Sequence, residues 1–200
     1  MRYACFELIK KAKSLGAKVI VSSSDATDHW EMYHEYGADI IIHGEGEHTL
    51  LESIQAVEQQ KDLFLVAGIS LLREGKAQKN APRTNERDLD IFPQANWNVI
   101  DIEAYREIWK QGKFPFTLNI STTRGCPFKC NWCAKPIYGN RYNSRSPERV
   151  VEELAHLNEK YGVQHFWITD DIFGLKPGWV TAFNQLIQEQ NLKINYKIQS

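Results

Sequence analysis

Short apolar segments alternate with single helical segments along most of this 200-residue chain. Residues 17–21 and 38–42 are continuous apolar runs, each followed by a turn sequence, and residues 63–72 form a further apolar run. Such runs are typical of strands that are buried in a parallel sheet. Helices are predicted around these strands over residues 1–15, 29–36 and 48–60. Strands that alternate with single helices predict an α/β fold with a parallel sheet.

The alternation fails after about residue 73. Charged and small polar residues dominate there, and Pro82 and Pro93 would interrupt a helix. We therefore predict a first domain over residues 1–75, a linker over residues 76–115 and a second domain over residues 116–200.

The second domain repeats the strand and helix alternation. Ser146 and Pro147 have the residue types that are favoured at the N-cap and first position of a helix. The predicted strands cover residues 116–122, 165–169 and 194–198, and the predicted helices cover residues 147–161 and 177–190. Two βα units and one further strand cannot close a barrel, so we expect the chain to be a fragment of a larger protein.

Composition and charge do not point to a polyanionic partner or to a membrane surface. The chain is 42% apolar and its formal net charge is -1, with acidic and basic residues interspersed, so nothing indicates binding to nucleic acid or to a membrane surface. No run of about eighteen apolar residues suggests a membrane span. We expect a cytoplasmic protein, in which clustered cysteines more often bind metal or perform redox chemistry than form disulfides.

Three of the four cysteines lie within the sequence Arg-Gly-Cys-Pro-Phe-Lys-Cys-Asn-Trp-Cys. Cys126, Cys130 and Cys133 have C-x3-C-x2-C spacing on a loop that directly follows a predicted strand. A structural zinc site usually needs four protein ligands, whereas an iron-sulfur cluster with three cysteines leaves one iron open. His156 and His165 fall in the next helix and strand, so no neighbour obviously completes a zinc site. This favours the cluster, and a zinc-stabilised, non-catalytic binding module is the alternative.

The cysteine segment, with Trp132 before the last cysteine, resembles the signature of the radical S-adenosylmethionine (SAM) family. The resemblance implies that the three cysteines hold a 4Fe-4S cluster, that SAM binds the open iron, and that its reductive cleavage forms a 5′-deoxyadenosyl radical. It also implies that Trp132 lies beside the adenine. Asp170 and Asp171, at the end of the second strand of this domain, are the corresponding candidates for the SAM amino group.

Residues 37–47 are similar to a segment near the end of the cobalamin-binding domain that precedes many radical SAM barrels. Residues 24–29, 131–136 and 170–177 further resemble the subgroup that includes the anaerobic magnesium-protoporphyrin monomethyl ester cyclase type. The fold implied is part of a flavodoxin-like cobalamin-binding sheet, followed by the first βα units of a TIM-like barrel. Cobalamin is therefore an implied cofactor, with candidate contacts at Ser23, Gly44, Glu45 and Gly46.

The resemblance implies an enzyme that acts on an unactivated carbon of a small-molecule substrate, by methyl transfer or oxidative cyclisation. A reductant such as flavodoxin or ferredoxin is the implied partner. Structural explanations exist for several candidates: Gly44 and Gly46 could simply form a tight turn, and Trp132 could pack beneath its loop. Asp170 and Asp171 could be capping or turn residues. Cys5, in the first helix, is expected to be a small hydrophobic residue without a chemical role.

Overall fold

The computed structural model describes residues 2–133 and 137–198. It divides into two units, which are described separately. The first contains Met1–Glu86 and Cys130–Gly139, and the second contains Arg87–Lys129 and Asn140–Ser200. No helix within the described ranges is both long enough and apolar enough to cross a membrane.

The first unit is built on a four-stranded sheet with strand order β1-β2-β3-β4. Its elements are α1 (Arg2–Ser14), β1 (Ile20–Ser22), α2 (Ser24–Asp28), α3 (Trp30–Glu35), β2 (Ile40–Ile42), α4 (Glu47–Glu58), β3 (Ile69–Arg73) and β4 (Lys76–Lys79). Strands β1 and β2 are parallel, as predicted. All three residues of β2 are buried, and they contribute to the core on both sides of the sheet.

The end of this sheet differs from the prediction. Residues 63–72 do not form one strand: Leu63–Leu65 is a 3-10 turn, and β3 runs antiparallel to β2. Strand β4 then pairs antiparallel with β3 through a two-residue turn. Glu74 and Gly75 both have positive φ angles, of 50° and 78°, which is the conformation of a type I′ hairpin turn. The hairpin needs no crossover helix, so the αβ alternation stops here.

A short helix precedes the predicted helix over residues 29–36. Ser23 is the N-cap of α2, and its Oγ accepts a hydrogen bond from the backbone N–H of Ala26 at 3.0 Å. The backbone leaves helical geometry at His29, which separates α2 from α3. A local capping interaction thus creates a helix that apolar periodicity did not indicate.

The second unit is built on the parallel sheet β5-β8-β9. Its elements are α5 (Ile102–Lys110), β5 (Thr117–Ile120), β6 (Thr123–Arg124), β7 (Asn143–Ser144), α6 (Pro147–Tyr161), β8 (His165–Ile168), α7 (Trp179–Glu189) and β9 (Asn195–Ile198). The core combines apolar residues of β5 and β8 with those of α6 and α7, including Leu154 and Phe183. Ser146 caps α6 and Pro147 is its first residue, as predicted. The α/β fold class is confirmed.

The range predicted as a linker, residues 76–115, contains ordered elements. Strand β4 and helix α5 both lie within it, with 3-10 turns at Leu89–Ile91 and Trp97–Val99. None of the four residues of β4 is buried, and α5 buries only Ile102, so neither shows the apolar pattern of a core element. Asp101 nevertheless caps α5 by accepting a hydrogen bond from the N–H of Ala104 at 3.0 Å. The proposed domain boundaries remain a prediction.

Candidate functional site

A two-residue ladder closes the base of the loop that carries the three cysteines. Thr123 pairs with Ser144, and Arg124 pairs with Asn143, so β6 and β7 hold the two ends together. We call residues 125–142 the cysteine loop and residues 121–124 with 143–145 its root. The root follows β5, at the carboxyl end of the parallel sheet, which is where βα folds commonly place functional groups.

The three thiols all lie on this loop. Cys126 is half-buried and belongs to the second unit, whereas Cys130 and Cys133 are exposed and belong to the first. No disulfide is formed, and the N–H of Cys133 donates to the carbonyl oxygen of Cys130 at 3.2 Å. Among the described residues, no three histidine, cysteine or acidic side chains are close enough together to hold a metal ion. Residues 134–136, part of the segment that supported the subgroup resemblance, lie outside the described residues.

Trp132 is the most accessible aromatic side chain of the cysteine loop. It is 88% exposed, so it does not pack beneath the loop, and Phe128 is also exposed. Exposed aromatic rings offer flat apolar faces on which a planar ligand can stack. The exposure of Trp132 is therefore compatible with the adenine contact that the family resemblance implies.

The two candidate acids at the end of β8 have different surroundings. Asp170 is only 2% exposed, and its Oδ1 accepts hydrogen bonds from the backbone N–H groups of Thr122 at 2.7 Å and Thr123 at 2.9 Å. The hydroxyl of Thr122 donates to its other oxygen. Asp171, by contrast, is exposed. Asp170 thus binds the root of the cysteine loop, and of the two acids Asp171 is the accessible one.

Arg145 holds the returning side of the root, and the sequence analysis did not identify this role. Its backbone N–H donates to the Thr122 carbonyl oxygen at 2.9 Å, and its Nη1 donates to the Ser121 carbonyl oxygen at 3.0 Å. The same Nη1 lies 2.6 Å from Glu153 Oε2 on α6, where Glu153 is 5% exposed. A signal was present in the sequence, because Glu153 interrupts the buried stripe that includes Val150 and Leu157.

Most candidates in the first unit have roles within the fold. Ser23 is the N-cap described above, and Glu45, 6% exposed, accepts a hydrogen bond from the N–H of Glu86 at 2.7 Å. Gly44 has a φ angle of 77°, so the tight-turn explanation holds for it. Gly46, the N-cap of α4, has a φ angle of -99°, so the same explanation is wrong for Gly46.

A chain of hydrogen bonds connects His34, Ser70 and His43. His43 was not among the candidates predicted from the sequence. His34 Nδ1 lies 2.8 Å from the Ala38 carbonyl oxygen and must carry its proton, because a carbonyl can only accept. With His34 neutral, its Nε2 accepts from the Ser70 hydroxyl at 3.0 Å, so Ser70 Oγ accepts from His43 Nε2 at 2.9 Å. Burial first, and then the positive charges of Lys79 and of His34 when it is protonated, lower the pKa of His43 to about 4.

His43 also lines a cavity of the first unit, with a volume of about 520 Å³. The other lining residues include Gly44, Lys79 and Arg83. In the described part of the chain, the buried Nδ1 of His43 has no hydrogen-bond partner. His43 comes directly before the Gly-Glu-Gly-Glu turn that the sequence analysis singled out, so its position at a strand end was the available signal.

The chain carries a radical SAM region at this site. Residues 120–199, which begin at the last residue of β5 and include the cysteine loop, match the sequence model of the Radical SAM superfamily. Residues 120–199 of the chain therefore belong to the radical SAM superfamily.

The relatives that resemble the chain extend beyond this region. An uncharacterized methyltransferase of Pyrococcus horikoshii is 28% identical over 99% of the chain. The anaerobic magnesium-protoporphyrin IX monomethyl ester cyclase of Synechocystis is 30% identical over 78% of the chain. The chain spans only 43% and 30% of the lengths of these two relatives.

Solved structures share the fold of the chain. The cobalamin-dependent SAM radical enzyme OxsB matches 98% of the chain with a TM-score of 0.76 and 20% identity. The radical SAM methyltransferase TsrM from Kitasatospora setae matches 92% of the chain with a TM-score of 0.67 and 22% identity. The chain covers 28% and 35% of these two structures, and the likeness shows a common fold.

The cysteine loop fits an iron-sulfur cluster in its donor chemistry. It supplies three thiols outside disulfides, two of them exposed, on a loop whose root is fixed. The fit to cobalamin is poorer, because Ser23 and Glu45 already bind the chain's own backbone and Gly46 caps a helix. These three residues therefore lend no support to a cobalamin contact.

Proposed function

We propose that the protein is a radical SAM enzyme that cleaves S-adenosylmethionine reductively to a 5′-deoxyadenosyl radical. The observation that carries this proposal is the three-thiol loop, rooted at the carboxyl end of β5 within the region that matches the family. When bound, a 4Fe-4S cluster supplies an electron and an open iron. Cys126, Cys130 and Cys133 would be its ligands.

The remaining roles follow from exposure. Trp132 presents an accessible ring for the adenine, and Asp171 presents an accessible carboxylate for the SAM amino group. Asp170 is already used by the root and is not assigned a contact with SAM. A small one-electron donor such as flavodoxin or ferredoxin would supply the electron.

The substrate is proposed to be a small molecule with an unactivated carbon, modified by methyl transfer or oxidative cyclisation. Support comes from the relatives, which include methyltransferases and the magnesium-protoporphyrin cyclases. An association with cobalamin is supported by the fold shared with OxsB, which is described as cobalamin-dependent. Gly44 is the candidate of the first unit that we retain for such a site, because it has no side chain and lines the cavity beside His43.

Anaerobic reconstitution tests the proposal. The protein would be incubated with iron and sulfide, its metal content and visible absorption measured, and 5′-deoxyadenosine assayed after addition of SAM and dithionite. We expect bound iron, a cluster absorption band and 5′-deoxyadenosine that all require the three cysteines. Stoichiometric zinc that iron and sulfide fail to replace would instead favour the binding module.

A further inference from the structure

We infer that Asp170 is a positioning residue, whose carboxylate holds the root of the cysteine loop in place and does not bind SAM. Where it concerns the cluster, the inference rests on the proposed function. The attachment of the root to the end of β8 is a property of the protein without any cofactor.

The carboxylate of Asp170 is surrounded by donors from one short segment. Oδ1 accepts the N–H groups of Thr122 and Thr123, and the Ser121 hydroxyl lies 3.4 Å away. Oδ2 accepts the hydroxyl of Thr122. Thr122 and Thr123 are themselves buried, so water cannot replace the carboxylate as their partner.

These bonds leave little capacity for a ligand. A carboxylate has about four lone-pair positions, and the two N–H groups and the Thr122 hydroxyl occupy three of them. A ligand ammonium group would have to reach a side chain that is 2% exposed and displace buried backbone donors. Asp171 can accept such a group without this cost, because it is exposed.

The position of Thr122 explains why this attachment matters for the thiols. Its N–H and hydroxyl bind Asp170, and its carbonyl oxygen accepts the N–H of Arg145. One residue therefore connects the outgoing and returning sides of the root to β8. Because Cys126 follows shortly after β6, a root that moves would move the first ligand relative to the sheet.

Three variants distinguish positioning from SAM binding: Asp170→Ala, the near-isosteric Asp170→Asn, and the matched control Asp171→Asn. Hydrogen exchange at Thr122 and Thr123 is measured first on the apoprotein. Asp170→Ala should accelerate exchange at both amides by about tenfold or more, because each loses its acceptor. Asp170→Asn should largely restore protection, since an amide oxygen can accept both N–H groups and the Thr122 hydroxyl can reverse its role.

Iron content and the electron paramagnetic resonance spectrum, with and without SAM, are then measured after reconstitution. Asp170→Ala should lower iron content, and Asp170→Asn should retain both iron and the spectral response to SAM. Asp171→Asn should retain iron and amide protection but weaken the response to SAM.

The inference is overturned if amide exchange in Asp170→Ala matches the wild type. It is also overturned if Asp170→Asn keeps its amide protection and iron but loses the SAM response. Should Asp170→Ala fail to fold, Thr122→Val takes its place: it removes only the hydroxyl bond, and faster exchange at Thr123 is then expected. If even the wild-type protein takes up no iron, the proposed function fails, and the exchange data still decide the role of Asp170.

Discussion

Glu45 and Asp170 occupy comparable places in the two units but serve their surroundings differently. Each acid follows the last residues of a parallel strand, each is nearly buried, and each accepts a backbone N–H from a segment distant in sequence. Around Asp170 the contacts fix both sides of a loop that carries thiols. Beside Glu45, the neighbouring His43 keeps a buried nitrogen without a partner among the described residues. A buried acid at a strand end is thus an anchor in both units, and the second anchor holds the root of the loop that carries the three candidate cluster ligands.

The largest expected effect concerns those thiols. Replacing Cys126, Cys130 or Cys133 individually with alanine should abolish stable iron binding, because three ligands leave no redundancy. The matched control is Cys5→Ala in the first unit, where Cys5 packs against the core around Phe6. Iron content after anaerobic reconstitution is the measurement. An equal loss of iron in Cys5→Ala would mean that four cysteines are needed and would contradict a site formed by the cysteine loop alone.

The next effect tests how firmly the root is held. Arg145→Met leaves the buried carboxylate of Glu153 without its cation, which should lower the free energy of unfolding by about 3–5 kcal/mol. The control is Arg149→Met, which removes an ion pair with the exposed Glu152 and should cost about 0–1 kcal/mol. Urea denaturation measures both variants. Equal decreases in the free energy of unfolding would show that the ion pair of Arg145 contributes no more to stability than a surface ion pair.

A smaller effect separates two glycines beside Glu45. Gly44→Ala places a Cβ at positive φ and should cost about 1–2 kcal/mol, whereas Gly46→Ala, at a φ of -99° that alanine adopts without strain, should cost less. Space is not the reason for the difference, since the nearest atoms to the added Cβ are at least 3.6 Å away in both cases. Thermal unfolding compares the variants. If both variants unfold at the same temperature, the positive φ angle is not the reason that glycine is needed at position 44.

Features that depend on residues close together in the sequence could be predicted, whereas features that depend on contacts between distant residues could not. Continuous apolar runs and local caps such as Ser146 act over a few residues, so most strands and α6 were predictable. The direction of β4 relative to β3 depends on the turn at Glu74 and Gly75, whose positive φ angles are those of a hairpin turn. The spacing of the cysteines suggested their chemistry. The role of Asp170 could not be anticipated, because its donors lie up to 49 positions away in sequence.

The last expected effect is the pH dependence contributed by His43. Its pKa is about 4 in the folded protein, chiefly because of burial, against 6.5 for an ordinary histidine. The unfolded chain therefore takes up a proton first as the pH falls, so the contribution of His43 to stability is complete above pH 6.5 and is lost towards pH 4. Burial lowers the pKa of His34 as well.

His43→Gln, which keeps a donor for Ser70, should flatten the fall in unfolding free energy between pH 7 and pH 4 without removing it. The curves of the two proteins should run parallel above pH 7, where both histidines are neutral in both states. Parallel curves over the acidic range as well would mean that the surroundings of His43 do not keep it neutral. The first unit would then have no buried neutral histidine beside Glu45 to set against the anchor at Asp170.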